Sequence, residues 1–395
     1  MAKERKPSRA QPASKTRRPT SRKQAVTPRK PSPARQAAKT VKPTRTQPTV
    51  TLRKPTRPQP TAMLSQPALN GWLDQLAGSA TLIAPRWVSG VLLYRPVSSS
   101  AEIAWGFSRP VMSAKEAFFP PTEQLFTIQK TGQEIELHES RPDGKTILFG
   151  VRPCDARGVK LLDALFLEKG GVDPYYARRR EETTLIGLAC SEVGGTCFCT
   201  ATGGAPDDDT DMDVMLSEVE GGYSLKAVTE KGRALTAGLE LASAGREVSG
   251  PHRRPGAANA LQALQAISWP KHFGDDYWAR MSERCLSCRA CAYVCPTCRC
   301  FTLRDEMTSS PAEFERIRCW DSCEGENYRR IAGGHKARPE KGERLRNRFF
   351  CKFYYYPVQY GLAGAPACTG CGRCIDVCPV GVDITEVLYD LGRSA

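Results

Sequence analysis

Residues 285–300 read CLSCRACAYVCPTCRC, and residues 368–379 read CTGCGRCIDVCP. Cys285, Cys288, Cys291 and Cys295 share one spacing with Cys368, Cys371, Cys374 and Cys378, and each run closes on a proline, Pro296 or Pro379. Two-residue gaps keep the first three thiols of a run on one tight loop. The fourth lies about a helical turn further on and faces elsewhere. Proline after it can start or turn the next segment, because it has no N–H to leave unpaired. Two such runs predict a C-terminal part built of helices joined by cysteine-bearing loops.

C-x2-C-x2-C-x3-C-P is the pattern by which bacterial ferredoxins hold [4Fe–4S] cubanes, the fourth cysteine of each run serving the other cluster. By that rule one cubane takes Cys285, Cys288, Cys291 and Cys378, and the other takes Cys368, Cys371, Cys374 and Cys295. Zinc is the competing metal, but it favours pairs of C-x2-C knuckles with longer spacers over two complete runs. Cys295 and Cys368 are 73 positions apart, so the intervening segment must fold back on itself. Two neighbouring cubanes make a relay for single electrons. No catalytic residue is assigned.

The bulk composition divides the 395-residue chain. Residues 1–60 hold 18 of the 57 Lys and Arg, one acid (Glu4), 11 of the 30 prolines and no aromatic residue. The remainder, with 39 basic and 41 acidic residues, is nearly neutral, so the formal charge of +15 belongs to a tail. Such a tail cannot bury enough apolar surface to offset its ordering entropy and is expected to be disordered. Its basicity allows non-specific contact with polyanions, without aromatic residues for base stacking. No apolar leader opens the chain and no 18-residue apolar run occurs, so no membrane span is expected. Seventeen cysteines in this setting point to metal in a reducing cytoplasm rather than to disulfides.

The expected fold is α+β. A disordered basic tail (1–62) precedes a mixed α/β domain (63–280) and a mainly helical dicluster ferredoxin domain (281–395). Within the α/β part, 64–78 and 155–170 have helical periodicity, as do 229–245 and 257–268. Strands are expected at 88–97, 124–130, 134–139, 145–153 and 183–190, and a hairpin around Gly221 and Gly222 over 212–228. A last helix falls at 384–392.

Nine cysteines lie outside the runs. Cys154 (GVRPCDARG) and Cys190 (end of TTLIGLAC) close predicted strands; with Cys197 and Cys199 of GGTCFC they make a four-thiol set. This set admits a third iron–sulfur cluster, the alternative being buried strand-end thiols. Cys298, Cys300, Cys319, Cys323 and Cys351 read as thiols packed around a sulfur-rich core, or as a further cluster or redox pair. The basic stretch 334–348 reads either as a docking surface or as a solvated helix face with pairs such as Glu340–Arg344.

The stretches GVRPCDARG, DPYYARRREE, TCFCT, RCLSCRACAYVCPTCRCF, CWDSCEG, GHKARPEKGERLRNR, KFYYYPVQYG and CTGCGRCIDVCPVGVDITEVL occur in that order over about 145–392. Together they resemble the iron–sulfur beta subunit of cytoplasmic sulfhydrogenases, and also the corresponding iron–sulfur subunit of anaerobic sulfite reductases. The resemblance implies an electron-transfer subunit of an oxidoreductase complex in anaerobic metabolism. It would work between a flavin- and NAD(P)-binding diaphorase-type subunit and a terminal catalytic subunit, with the eight cubane ligands at the positions above. The Pro-rich tail departs from the family pattern. The sequence lacks G-x-G-x-x-G after a strand, G-x-x-x-x-G-K-[ST] and H-E-x-x-H, which leaves nucleotide and flavin to a partner. The alternatives are a self-sufficient flavin-dependent reductase and a redox-sensing nucleic-acid-binding protein.

Overall fold

TILFGV (146–151) is buried at five of its six positions, as a strand must be when both faces of its sheet are covered. In the computed structural model it is β6 of an eight-stranded sheet. The structure describes residues 62–393 apart from 143, 169–170, 244–263, 265 and 363–364. The basic tail up to residue 61 and most of the expected helix at 257–268 lie outside the described residues.

In chain order the strands of the large sheet are β1 (Ala62–Leu64), β2 (Thr81–Val88), β3 (Val91–Pro96), β6 (Thr146–Val151), β7 (Thr183–Leu188), β8 (Val214–Val219), β9 (Gly222–Ala227) and β10 (Ala242–Ser243). Their spatial order is β10-β1-β9-β8-β7-β6-β2-β3. The β2/β6, β6/β7 and β7/β8 pairs are parallel and the others antiparallel. Alternation sends Ile147, Phe149 and Ile186 to one face, against Leu69, Trp72 and Leu73 of helix α1 (Gln66–Ser79). It sends Leu148 and Leu185 to the other face, against Val159 and Leu162 of helix α2 (Pro153–Asp163). Ser65 caps α1 by accepting from the Ala68 N–H at 3.4 Å, with a proline in the first turn.

Several expectations meet local corrections. The strand read at 88–97 is β3, and its partner β2 was not anticipated because Pro85 interrupts it. Parallel pairing of β2 with β6 stops at Ile83, so the missing Pro85 N–H costs that ladder nothing. The hairpin falls where expected, with Gly221 at φ 87° in its turn. Helix α2 continues as a π-helical segment, Ala164–Glu168. The helix read at 229–245 spans only Glu230–Thr236 before β10.

A second, antiparallel sheet has the order β11-β12-β4-β5, with β4 at Thr122–Thr131, β5 at Glu134–Glu139, β11 at Phe301–Met307 and β12 at Glu313–Trp320. The hairpin β11–β12 adds strand to a stretch otherwise read as helical, and it pairs with β4 from the earlier part of the chain. Arg318 on β12 is buried and donates through Nε to Glu123 Oε2 on β4 at 3.0 Å. The helices Tyr277–Arg284, Lys341–Phe350 and Ile384–Arg393 pack around Trp278, Phe349, Phe350, Val387 and Leu388. No helix among the described residues is long and apolar enough to cross a membrane.

Candidate metal centres

Both cysteine runs coil the same way. Ser287 and Arg289 take left-handed backbone angles (φ 53° and 65°), and at the matching places of the second run Gly370 and Gly372 do so too (φ 65° and 77°). Each left-handed residue reverses the chain between successive cysteines and turns consecutive thiols toward one side. Non-glycine residues adopt this conformation at a cost of roughly 1–2 kcal/mol each, a cost concentrated at functional loops. The Ser287 N–H points at Cys285 Sγ at 3.3 Å, and the Val382 N–H at Cys378 Sγ at 3.1 Å. Cys291 and Cys374 sit on the single-turn helices Ala290–Tyr293 and Arg373–Asp376, which pack on each other.

That packing crosses the runs. A hollow of about 370 Å³ is lined by Cys285, Cys288 and Cys291 of the first run together with Cys378 and Cys374 of the second. Another, of about 290 Å³, is lined by Cys368, Cys371 and Cys374 together with Cys295. All eight cysteines therefore face one hollow or the other, and Cys374 borders both. Among the described residues no three His, Cys, Asp or Glu side chains close on a point, as a single ion would need. The rings are wider than that.

Burial pushes the thiols of Cys285, Cys291 and Cys374 up, takes Cys371 to about 11 and takes Cys368 to about 12. Bare, these five thiols are protonated at neutral pH. A metal must supply the positive charge that releases those protons. Cys295 is the exception. A hydrogen bond from Cys298 and, against burial, the charge of Lys352 hold it well below the usual thiol value. Lys352 Nζ lies 3.0 Å from Cys295 Sγ, 3.1 Å from Thr297 Oγ1 and 3.4 Å from Cys298 Sγ. Burial opposes its charge, but the two sulfurs override burial and hold its pKa well above the usual lysine value.

Each hollow also carries buried polar atoms that lack a hydrogen-bond partner. At the first these are Nε and Nη2 of Arg348, a residue 3 % exposed, and Oε1 of Glu324; at the second it is Thr369 Oγ1. Arg348 Nε is 3.6 Å from Glu324 Oε1, close enough for an ion pair only. Unmade bonds at buried donors cost about 1–3 kcal/mol each. Donors facing a thiol ring suit the sulfide and thiolate sulfurs of an iron–sulfur cluster, so the residues present fit such a group.

Sequence reasoning missed these buried charges. The signal available was a lone lysine in CKFYYYP and a glutamate directly after Cys323. The basic stretch 334–348 is only partly solvated. Arg344 and Arg348 are buried, and Glu340 forms a reciprocal capping box with Glu343 at the start of helix Lys341–Phe350. Arg344 donates to the Arg338 carbonyl at 3.3 Å.

Cys154, Cys190, Cys197 and Cys199 line a further hollow of about 390 Å³. Of the other cysteines, Cys298, Cys300 and Cys351 gather around the buried Cys323, and Cys319 stands apart on β12. Cys298 lies beside Lys352, Cys300 hydrogen-bonds Cys323, Cys351 accepts from Arg299 at 3.5 Å and Cys319 accepts from Arg304 at 3.1 Å.

Residues 284–382 match the family described as 4Fe-4S dicluster domain. Over 314 residues the chain is 32 % identical to the sulfhydrogenase 2 subunit beta of Pyrococcus furiosus, covering 75 % of this chain and 88 % of that one. No solved structure matches the chain.

Proposed function

The chain belongs to the family of sulfhydrogenase beta subunits and is an electron-transfer iron–sulfur subunit; we propose that it relays single electrons through two [4Fe–4S] clusters. One cluster would be held by Cys285, Cys288, Cys291 and Cys378, and the other by Cys368, Cys371, Cys374 and Cys295. The relay would run between a flavin-bearing, NAD(P)-binding partner subunit and a terminal catalytic subunit.

The observation that carries this reading is the crossing of the runs, with Cys378 at the hollow of the first and Cys295 at the hollow of the second. Bound there, the clusters supply reversible one-electron exchange. The chain's own residues set the conditions for it. Arg348 and Lys352 hold positive charge against the two rings, and Phe349, Phe350 and Ile384, each 1 % exposed or less, pack beneath them to exclude water. Cys374 borders both hollows, which keeps the two sites adjacent.

The test is spectroscopic, on anaerobically prepared full-length protein. Cys291→Ser is expected to alter one electron-paramagnetic-resonance signal and Cys295→Ser the other. If Cys295→Ser instead removes the signal that Cys291→Ser removes, the crossed pairing is wrong.

A further inference from the structure

We propose that Cys154, Cys190, Cys197 and Cys199 bind a third iron–sulfur cluster of the [4Fe–4S] type, seated against the second-run site. Nothing in the dicluster motif requires it. The occupancy of this site stands apart from the two-cluster reading above, and only its place in the relay rests on that reading.

The fold brings the four thiols together. β6 and β7 are neighbouring parallel strands, so the segments that leave them emerge at the same carboxyl edge, where open α/β sheets hold ligands. Cys154 lies in the first turn of α2 after β6, and Cys190 lies two residues beyond β7. The loop that follows returns Cys197 and Cys199 to that edge, and the Phe198 N–H donates to the Gly370 carbonyl at 2.8 Å. All four line one hollow of about 390 Å³, comparable to the two at the ferredoxin-like runs.

The charges around it suit an anion. The Arg109 side chain is 7 % exposed and donates to Cys197 Sγ and Thr196 Oγ1, each at 2.7 Å, while pairing with Asp376. Arg152 is 2 % exposed. Its terminal nitrogens are taken up by the carbonyls of Leu188, Ala189 and Phe107, but its Nε has no hydrogen-bond partner. Arg109 has Asp376 as its counter-charge, but Arg152 is a buried guanidinium with only carbonyl acceptors, an expensive arrangement if nothing anionic faces it. A cluster held by four thiolates would supply the negative charge that Arg152 lacks. Zinc suits the site poorly, because no three donors among the described residues close on a single-ion point.

The site adjoins the second run directly. Cys371 lines both hollows, and Cys197 Sγ donates to the Cys371 carbonyl at 3.7 Å. A Cβ on Gly370 would stand 2.6 Å from the backbone of Cys199, and one on Gly372 would stand 2.4 Å from the Thr196 carbonyl. Only glycine lets the two loops lie this close. A cluster here would exchange one electron with its neighbour at the second run, extending the relay onto the α/β face.

The experiment counts iron, acid-labile sulfide and zinc in anaerobically reconstituted full-length protein and in the Cys154→Ser/Cys199→Ser double variant. Wild type is expected to hold about 12 irons per chain and the double variant about 8, with the signals sensitive to Cys291→Ser and Cys295→Ser both retained. Should the double variant fail to fold, Mössbauer spectra of 57Fe-loaded wild type decide the matter, three cubane components being expected. About 8 irons in reconstituted wild type, an unchanged count in a folded double variant, or zinc lost with the four cysteines would each overturn the proposal. If instead the Cys291 and Cys295 variants lose no iron, it is the two-cluster reading that fails, and the third site stands on its own count.

Discussion

Replacing Lys352 with methionine removes a positive charge from the second-run site while keeping most of its volume. Lys352 is 5 % exposed and its Nζ is 3.0 Å from Cys295 Sγ, so little water screens it. An added electron spreads over the cluster beyond that sulfur, at an effective distance of about 6 Å. With an effective dielectric of about 20, the attraction lost is about 3 kcal/mol. At about 59 mV per tenfold change for one electron, that is roughly 120 mV. The charge favours the reduced, more negative state, so Lys352→Met is expected to lower the potential of the cluster that Cys295 serves. The cluster beside Arg348 should move much less. The pKa of Lys352 is held well above the usual lysine value, so it stays charged through neutral pH and the difference between wild type and variant should be constant from about pH 6 to 8. A redox titration followed by electron paramagnetic resonance, with Lys352→Arg as the charge-keeping control, measures both potentials. A second-run potential that stays put or rises in Lys352→Met, with iron content intact, refutes the reasoning.

Lys115 should behave differently. Burial, and after it the charge of Lys352, lower its pKa to about 8 against the attraction of nearby sulfurs, and its Nζ donates to the Cys298 carbonyl at 3.1 Å and sits over the Trp320 ring. Reduction nearby favours its protonated form, so the second-run potential should fall as pH rises above about 8, and Lys115→Met should flatten that slope in the same titration. The buried Arg373–Asp155 pair joins the second run to α2 by two bonds of 2.6 and 2.7 Å, and Asp155 also accepts from Tyr94 at 3.2 Å. Asp155→Asn leaves Arg373 without its counter-charge and should cost about 3–5 kcal/mol. Anaerobic thermal unfolding should show a lower midpoint, with iron leaving the second-run site first; an unchanged midpoint would mean the pair adds nothing.

What could be read in advance divides along the lines of range and charge. The parallel strands β6 and β7 were legible because burial on both faces writes a continuous apolar run, and the β8–β9 hairpin because its turn needs glycine. The hairpin β11–β12 was not. Its strands carry arginines and acids whose partners lie across the ladder, such as Arg316 with Asp305 at 2.6 Å, so local alternation never appears. Lys352, Arg348 and Glu324 escaped for the same reason, since their burial is set by sulfur brought from elsewhere in the chain. The Glu340–Arg344 pair suggested by spacing lost to the capping box and to carbonyl acceptors at the helix start. Helix ends offer backbone partners that an i, i+4 rule ignores.

The two runs also show why equal spacing does not mean equal sequence. Positions 287 and 370 share a left-handed conformation, as do 289 and 372, yet the first run carries Ser and Arg where the second carries two glycines. Conformation alone would prefer glycine at all four. The contacts supply the difference, since a Cβ at 370 or 372 would strike the loop holding Cys197 and Cys199. The glycines of CTGCGRC therefore record a neighbour as well as a turn. Arg289 is free to project a guanidinium to within 3.6 Å of Asp321, whereas Gly372 must yield its space to Thr196. The asymmetry between two otherwise matching motifs was visible in the sequence from the start. Its meaning, that the loop holding Cys197 and Cys199 presses against the second run, depends on residues more than 170 positions away.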